Sequence, residues 1–175
     1  LDSERSLNTD LSLRWRSTDV KAKATVYRNA IDNYIFLVNT GEFAGPNNSG
    51  PPILETVQGD ARLIGADANI TAQVLPWLQL SGTFETVQGE NVDQDLSQVD
   101  DLPLLPPTKI SGSVKFVKRE IGAVQNTFLT VGVEHATSKN AAGRYEPFWQ
   151  FGNAPQFSNF GVASTDAYTL VNATI

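Results

Sequence analysis

From Leu7 to Trp15 the chain alternates. Leu7, Thr9, Leu11, Leu13 and Trp15 hold one parity, and Asn8, Asp10, Ser12 and Arg14 the other, which Arg16 continues. A period of two places such sets on opposite faces of an extended strand; on a helix the same residues would scatter around the axis. The period returns at Val20, Ala22, Ala24 and Val26 against Lys21, Lys23, Thr25 and Tyr27. It runs from Ile64 to Val74, where Asp67, Asn69, Thr71 and Gln73 separate apolar or small residues. After Pro76 it resumes with Leu78, Leu80, Gly82 and Phe84 against Gln79, Ser81, Thr83 and Glu85. Three later segments follow the same rule: Ile110, Val114 and Phe116 against Lys109, Ser111, Ser113 and Lys115; Leu129, Val131 and Val133 against Thr130, Gly132 and Glu134; and Ala167, Val171 and Ile175 on one side of the last. The pattern predicts about seven strands and an all-β chain. All 9 prolines fall outside these strands, as a residue without an amide hydrogen requires.

The connections alternate as well. Those after the first, third and fifth strands are brief, at "RSTD", "LPW" and "KREIGAVQ"; those after the second, fourth and sixth are long, covering 29–60, 88–107 and 137–164. Brief turns at one rim and long loops at the other fit an antiparallel transmembrane β-barrel, with periplasmic turns and extracellular loops. Trp15, Trp77, Phe116 and Phe128 stand at or beside the brief turns, where an aromatic girdle belongs, although Trp77 and Phe128 do not share the parity of their strands' apolar faces. A soluble β-sandwich with its apolar stripes turned inward satisfies the alternation equally and is the competing architecture. In the barrel reading the apolar stripe meets lipid, and Arg14, Arg16, Lys21, Lys23, Asp67, Asn69, Thr71, Gln73, Glu85, Lys109 and Lys115 face the lumen. A closed bacterial barrel needs about eight strands or more, so the expectation is a partial barrel domain over 1–175 whose closing strands lie elsewhere.

Composition narrows the alternatives. The chain has 175 residues and neither cysteine nor methionine, which removes disulfides, thiolate metal sites and cysteine nucleophiles. A net charge of −6 and a pI near 4.7 argue against nucleic-acid binding, which needs clustered cations. The opening "LDSERS" lacks the pattern of a secretion signal and suggests a mature or excised start. The longest aliphatic and aromatic run, Ile35 to Val38, is far short of the roughly 20 residues of a spanning helix.

Four segments carry a resemblance. "ERSLNTDLSLRW" is similar to a Glu-x-Ser-x-Asn-x-Glu-x-Gly strand opening and "ATVYRNAIDNYI" to a strand ending in Tyr-x-Asn-x-Ile-x-x-x-Ile. The stretch from Glu55 to Glu90 is similar to an Asn-x-Gly-x-Ala-x-x-x-Gly-x-Glu hairpin, and "LPLLPPTKISGSVKF" to Leu-Pro-x-x-Pro-Pro-x-Arg. Together these resemble the C-terminal part of the barrel of TonB-dependent outer-membrane receptors. Asp10 and Asp67 stand where that pattern has Glu, Ser12 where it has Gly, and Lys109 where it has Arg. The resemblance implies a Gram-negative outer-membrane protein and energised uptake of a scarce ligand: an iron chelate such as a siderophore, another metal complex, a vitamin or a sugar. It also implies an N-terminal plug domain, absent from this chain, through which a periplasmic energy-transducing protein engages the receptor. A passive outer-membrane pore and a soluble binding or adhesion sandwich are the rival functions.

Ligand-binding candidates lie in the long loops. One loop concentrates Glu90, Asp93, Asp95, Asp100 and Asp101 without a cation, which suits cationic ligands, but it lacks the glycine and distal glutamate of a calcium loop and reads best as solvated. Another packs Arg144, Tyr145, Phe148 and Trp149 into a few residues, suited to stacking on a planar or anionic ligand or equally to a small loop core. No cofactor, resident metal or catalytic residue is expected: His135 is the single histidine, at a strand end, and no nucleophile elbow, phosphate loop or dinucleotide fingerprint appears. The "NIT" and "NAT" triplets fall within strands and carry no glycosylation reading.

Overall fold

The structure, a computed structural model, describes residues 1–92, 102, 105–121, 124–140, 148–151, 154–157 and 164–175. Its elements in chain order are β1 (Arg5–Arg16), β2 (Val20–Phe43), β3 (Pro52–Leu75), β4 (Leu78–Asn91), β5 (Lys109–Ile121), β6 (Val124–Ala136), the short β7 (Lys139–Asn140), β8 (Phe148–Phe151), β9 (Ala154–Phe157) and β10 (Ser164–Thr165), and finally β11 (Tyr168–Thr174). Strands β1 to β6 and β11 form one 7-stranded antiparallel meander, with β1 and β11 at its edges. Strand β7 pairs with β10 and β8 with β9 in separate 2-stranded ribbons.

Register carries each strand's parity across the sheet. The row Leu13–Ala24–Ala68–Phe84–Ile110 is followed by Trp15–Ala22–Ile70–Gly82–Gly112–Val133–Val171, and then by Val20–Ala72–Leu80–Val114–Val131–Ala173. All three lie on one face, since residues directly opposite in a ladder project to the same side. This face is not a core. Leu13 is 75% exposed, Trp15 66% and Val171 75%, and the buried apolar residues among those described are only Phe36, Ala61, Leu102 and Ala136. The described residues place no second sheet of comparable size over it. An apolar face of this extent, uncovered by protein, belongs in a bilayer rather than in water, and the sandwich alternative is set aside.

Stagger gives the sheet its barrel character. The row Arg16–Lys21–Thr71–Ser81–Ser113 starts at the first turn, yet meets later strands progressively farther from their own ends at Leu75 and Ile121. Strands offset steadily in one direction are tilted against a common axis, as closure of a barrel demands.

Two connections differ from expectation. The stretch 29–60 is largely strand: β2 and β3 each run 24 residues and meet at 44–51, where a 3-10 turn at Pro46–Asn48 closes the ribbon. A bulge at Asn33, with φ 57°, interrupts the β2 alternation, so the parity that signals a strand changes there. Pro52 is tolerated because it opens β3. The third brief connection shrinks to 122–123, because β5 and β6 extend through most of "KREIGAVQ". Phe128 pairs with Val117 and shares the parity of Lys115, so it sits on the polar face with the Lys115 ammonium 4.8 Å from its ring centre, outside the girdle. Trp77 does join the apolar side, stacking on Phe116 at 6.2 Å and 14°.

At about 3.3 Å per residue the β2–β3 ribbon is about 80 Å long, and even tilted by about 40° it rises roughly twice the height of the 25 Å apolar band that outer-membrane strands cross. It therefore projects well past the bilayer on the long-connection side. The base of the projection is tied down locally. The Asn33 amide donates to Asp60 Oδ1 at 3.3 Å, the Ile35 amide to Glu4 Oε1 at 2.7 Å, and Gln58 Nε2 to the carbonyls of Asp2 at 2.7 Å and Asn33 at 3.1 Å.

Placing a charge on either face separates the two environments. In lipid vesicles Ile70→Arg lowers the unfolding free energy of the full receptor by about 2–4 kcal/mol, whereas Thr83→Arg on the opposite face changes it by less than about 1 kcal/mol. Guanidinium titration followed by tryptophan fluorescence measures both; equal costs would contradict a lipid-facing stripe.

Candidate functional site: the polar face

The opposite face collects the hydrophilic parity of all the long strands. Arg14 lies opposite Lys23, which lies opposite Asn69, and the row continues through Thr83 and Ser111 to Glu134. One step toward the short turns, Arg16, Lys21, Thr71, Ser81 and Ser113 align; one step the other way, Ser12, Thr25, Asp67, Glu85 and Lys109 do. Register thus brings Arg14, Arg16, Lys21, Lys23, Asp67, Asn69, Thr71, Gln73, Glu85, Lys109 and Lys115 onto a single surface. Hydroxyls knit its rows together: Ser12 with Thr25 at 3.0 Å, Thr83 with Ser111 at 2.7 Å, and Thr71 with Ser81 at 3.5 Å. Gln73 is used locally, since its Nε2 donates to the carbonyls of Leu75 at 2.7 Å and Leu78 at 3.3 Å and so holds the second turn.

Charge on this face is zoned. Near the first short turn Arg14, Arg16, Lys21 and Lys23 form a cationic block; nearer the long connections Asp10, Asp67 and Glu85 bring carboxylates, with Lys109 opposite Glu85. Above the carboxylates the Tyr27 ring lies across Gly65. A Cβ at Gly65 would collide with Tyr27 Cζ and would sit 2.8 Å from the Thr86 carbonyl oxygen, so glycine is what lets the ring cross its neighbouring strand. Two shallow grooves flank this ring. One, of about 360 Å³, touches Asn8, Asp10, Asn29 and Leu63; the other, of about 340 Å³, touches Asp67, Glu85, Pro107 and Lys109. Asn29 Oδ1 is buried beside the first groove without a hydrogen-bond partner. Neither Tyr27, which the alternation already placed on the polar parity, nor Asn29 was a site candidate from the sequence. The signal for them is the segment "ATVYRNAIDNYI", in which both hold the polar parity of β2.

The loop candidates divide differently. Glu90 is not in a loop: it closes β4 opposite Arg62, on the apolar parity, and its carboxylate forms an ion pair and hydrogen bonds with that guanidinium. This pair, with Arg28 between Thr9 and Ile64, ends the apolar stripe on the long-connection side. Asp93, Asp95, Asp100, Asp101, Arg144 and Tyr145 lie outside the described residues, as do the side chains of Phe148 and Trp149, whose backbone belongs to β8. The second long connection returns to the sheet at Leu102, whose amide donates to the Gly89 carbonyl at 2.9 Å. Its side chain reaches the bare α-carbon of Gly89 together with that of Leu105. His135 occupies a strand end, bonded to Thr169 Oγ1 at 2.9 Å, and among the described residues no cluster of acids and histidine has the makings of a metal site.

This two-faced, staggered sheet matches a known family. Residues 1–175 fit the family described as TonB dependent receptor-like, beta-barrel. The chain belongs to the TonB-dependent receptor β-barrel family. Its apolar stripe is accordingly the surface that meets the outer membrane of a Gram-negative bacterium. Among solved structures it is similar to "Copper transporter OprC", with a TM-score of 0.68 and 14% identity over 97% of this chain. The chain spans 22% of that protein's length, and at this identity the likeness speaks to fold alone. No curated protein sequence matches it. Within this receptor barrel, Gly65→Val displaces the Tyr27 ring and costs about 1–3 kcal/mol of unfolding free energy, measured by denaturant titration. Adding Tyr27→Ala recovers most of that loss if the collision is its cause.

Proposed function

We propose that this sheet is a sector of the wall of an outer-membrane receptor for a scarce ligand, with its polar face turned toward the lumen. The observation that supports this is the segregation of every long strand into one lipid-compatible and one polar parity, within a family of receptor barrels. Edge strands cannot be left unpaired in hydrocarbon, so further strands complete the wall beside β1 and β11. An N-terminal plug domain fills the lumen, and a periplasmic energy-transducing protein acts on it to admit ligand. The ligand is an iron chelate, another metal complex, a vitamin or a sugar, recognised from the long-connection side. The wall and its loops bind and admit; they carry out no covalent chemistry.

The test is accumulation in cells producing the full receptor, supplied separately with copper(II), ferric citrate, cobalamin and a maltooligosaccharide. The expected outcome is uptake of one class that stops when an uncoupler collapses the proton gradient. Uptake of all four that ignores the uncoupler would identify a passive pore.

A further inference from the structure

The first four residues do not continue the β1 ladder. Arg5 still pairs with Asp32, but Asp2 has moved to Gln58 on β3, so the chain steps out of the sheet and crosses the flank of β2. It is held there mainly by its backbone. Gln58 Oε1 accepts from the Asp2 amide at 2.6 Å while Gln58 Nε2 donates to the Asp2 carbonyl at 2.7 Å. One side-chain amide thus exchanges both bonds with one residue, as a strand residue does in an antiparallel ladder. Asn33, at φ 57° in the bulge, donates from Nδ2 to the Ser3 carbonyl at 3.4 Å, and its own carbonyl accepts from Gln58 Nε2 at 3.1 Å. The Ile35 amide, past the last residue of β2 that β1 covers, donates to Glu4 Oε1 at 2.7 Å. The surface beside this crossing is apolar. Register sets Ile35 opposite Gln58, Leu37 opposite Thr56 and Asn39 opposite Leu54, so the three rows share one flank. On it Ile35 is 39% exposed, Leu37 52% and Leu54 49%. These residues lie beyond the Arg62–Glu90 pair at which the lipid-facing stripe ends, so lipid does not account for them. The opposite flank is already closed, with Tyr34 stacked on a buried Phe36 at 5.9 Å.

We infer that Asn33, Gln58 and the Ile35 amide are a clamp for the polypeptide that enters β1, and that Ile35, Leu37 and Leu54 are the seat on which that same polypeptide, before Leu1, continues. This rests on the wall reading proposed above, in which further receptor chain comes before β1. Continuity selects this occupant over a separate protein. Asp2 already lies on Gln58, in the row that contains Ile35, and the next two rows of the flank hold Leu37 and Leu54. Chain tethered at that point reaches them without the translational and rotational cost that a separate molecule meets. Recognition through the Asp2 amide and the Asp2 and Ser3 carbonyls places no demand on side chains, so it suits an extended strap. The consequence is mechanical. The strap joins the connection before β1 to the β2–β3 ribbon, and the two move as one body.

The experiment uses the full receptor in outer-membrane vesicles, with the photoreactive residue p-benzoylphenylalanine in place of Leu54 or, separately, Leu37. After irradiation the cross-linked peptides are mapped by mass spectrometry. The expected product at both positions is an intramolecular link to receptor residues shortly before Leu1. Gln58→Ala removes the clamp's bonds to Asp2 and lowers the yield of that link by at least about fivefold, the equilibrium worth of one net hydrogen bond. Heat-modifiable electrophoretic mobility confirms that the barrel of each variant is folded, and the link in the otherwise unaltered receptor is decisive without any clamp variant. Cross-links to lipid, to a separate protein or to another receptor segment would overturn the seat, as would no cross-link at all. An undiminished link in folded Gln58→Ala would overturn the clamp. The same photoreactive residue in place of Ile70 is the control for orientation, with linkage to lipid expected. Its linkage to protein instead would overturn the wall reading itself rather than the strap.

Discussion

Every backbone amide and carbonyl of this sheet must find its partner within protein, because the medium on the apolar side offers none. That single demand explains the continuous ladders from β1 to β11, the length of the strands and the stagger of their turns. It also explains why so little of the chain is buried in the ordinary sense. Phe36, Ala61, Leu102 and Ala136 are the buried apolar residues among those described, while leucines and valines of the stripe stand uncovered. In water such a stripe would drive aggregation or collapse into a second layer. In lipid it is already in its preferred solvent, and the strands are held by hydrogen bonding and neighbouring side-chain pairs rather than by a core.

Freed from packing a core, the other face can hold charge. Hydroxyls of Ser12, Thr25, Thr83 and Ser111 bridge strands there, and charges gather in zones instead of alternating in sign. Zoning is costly in an isolated sheet and acceptable when a second body compensates it. The apolar face, by contrast, is complete once lipid covers it. The ribbon of β2 and β3 adds a third environment. Past the Asn33 bulge the ribbon is anchored by polar groups from the start of the chain, the Glu4 carboxylate and the Asp2 carbonyl.

Much of this was legible from residue order. The seven long strands, their antiparallel succession, the sidedness of the lysines and arginines and the position of the brief turns all follow from a period of two, which a strand translates into faces without help from the rest of the molecule. The extent of the second and third strands was not legible, because one bulged residue changes parity and a run such as "AGPNNSGPP" reads as loop from a distance. Glu90 shows the same limit: its acidic neighbours suggest a loop, but the ladder with β3 continues through it and delivers it to Arg62.

Residue order by itself determined which side chains share a face, since alternation is a property of a single strand. Only the tertiary structure decided which residues of different strands stand side by side, and therefore where like charges face each other, where Tyr27 crosses Gly65 and which aromatics reach the rim. Those are matters of register and stagger, set by pairing across the whole sheet. A one-residue slip of any strand would leave its own pattern intact while moving every one of its side chains to the wrong face.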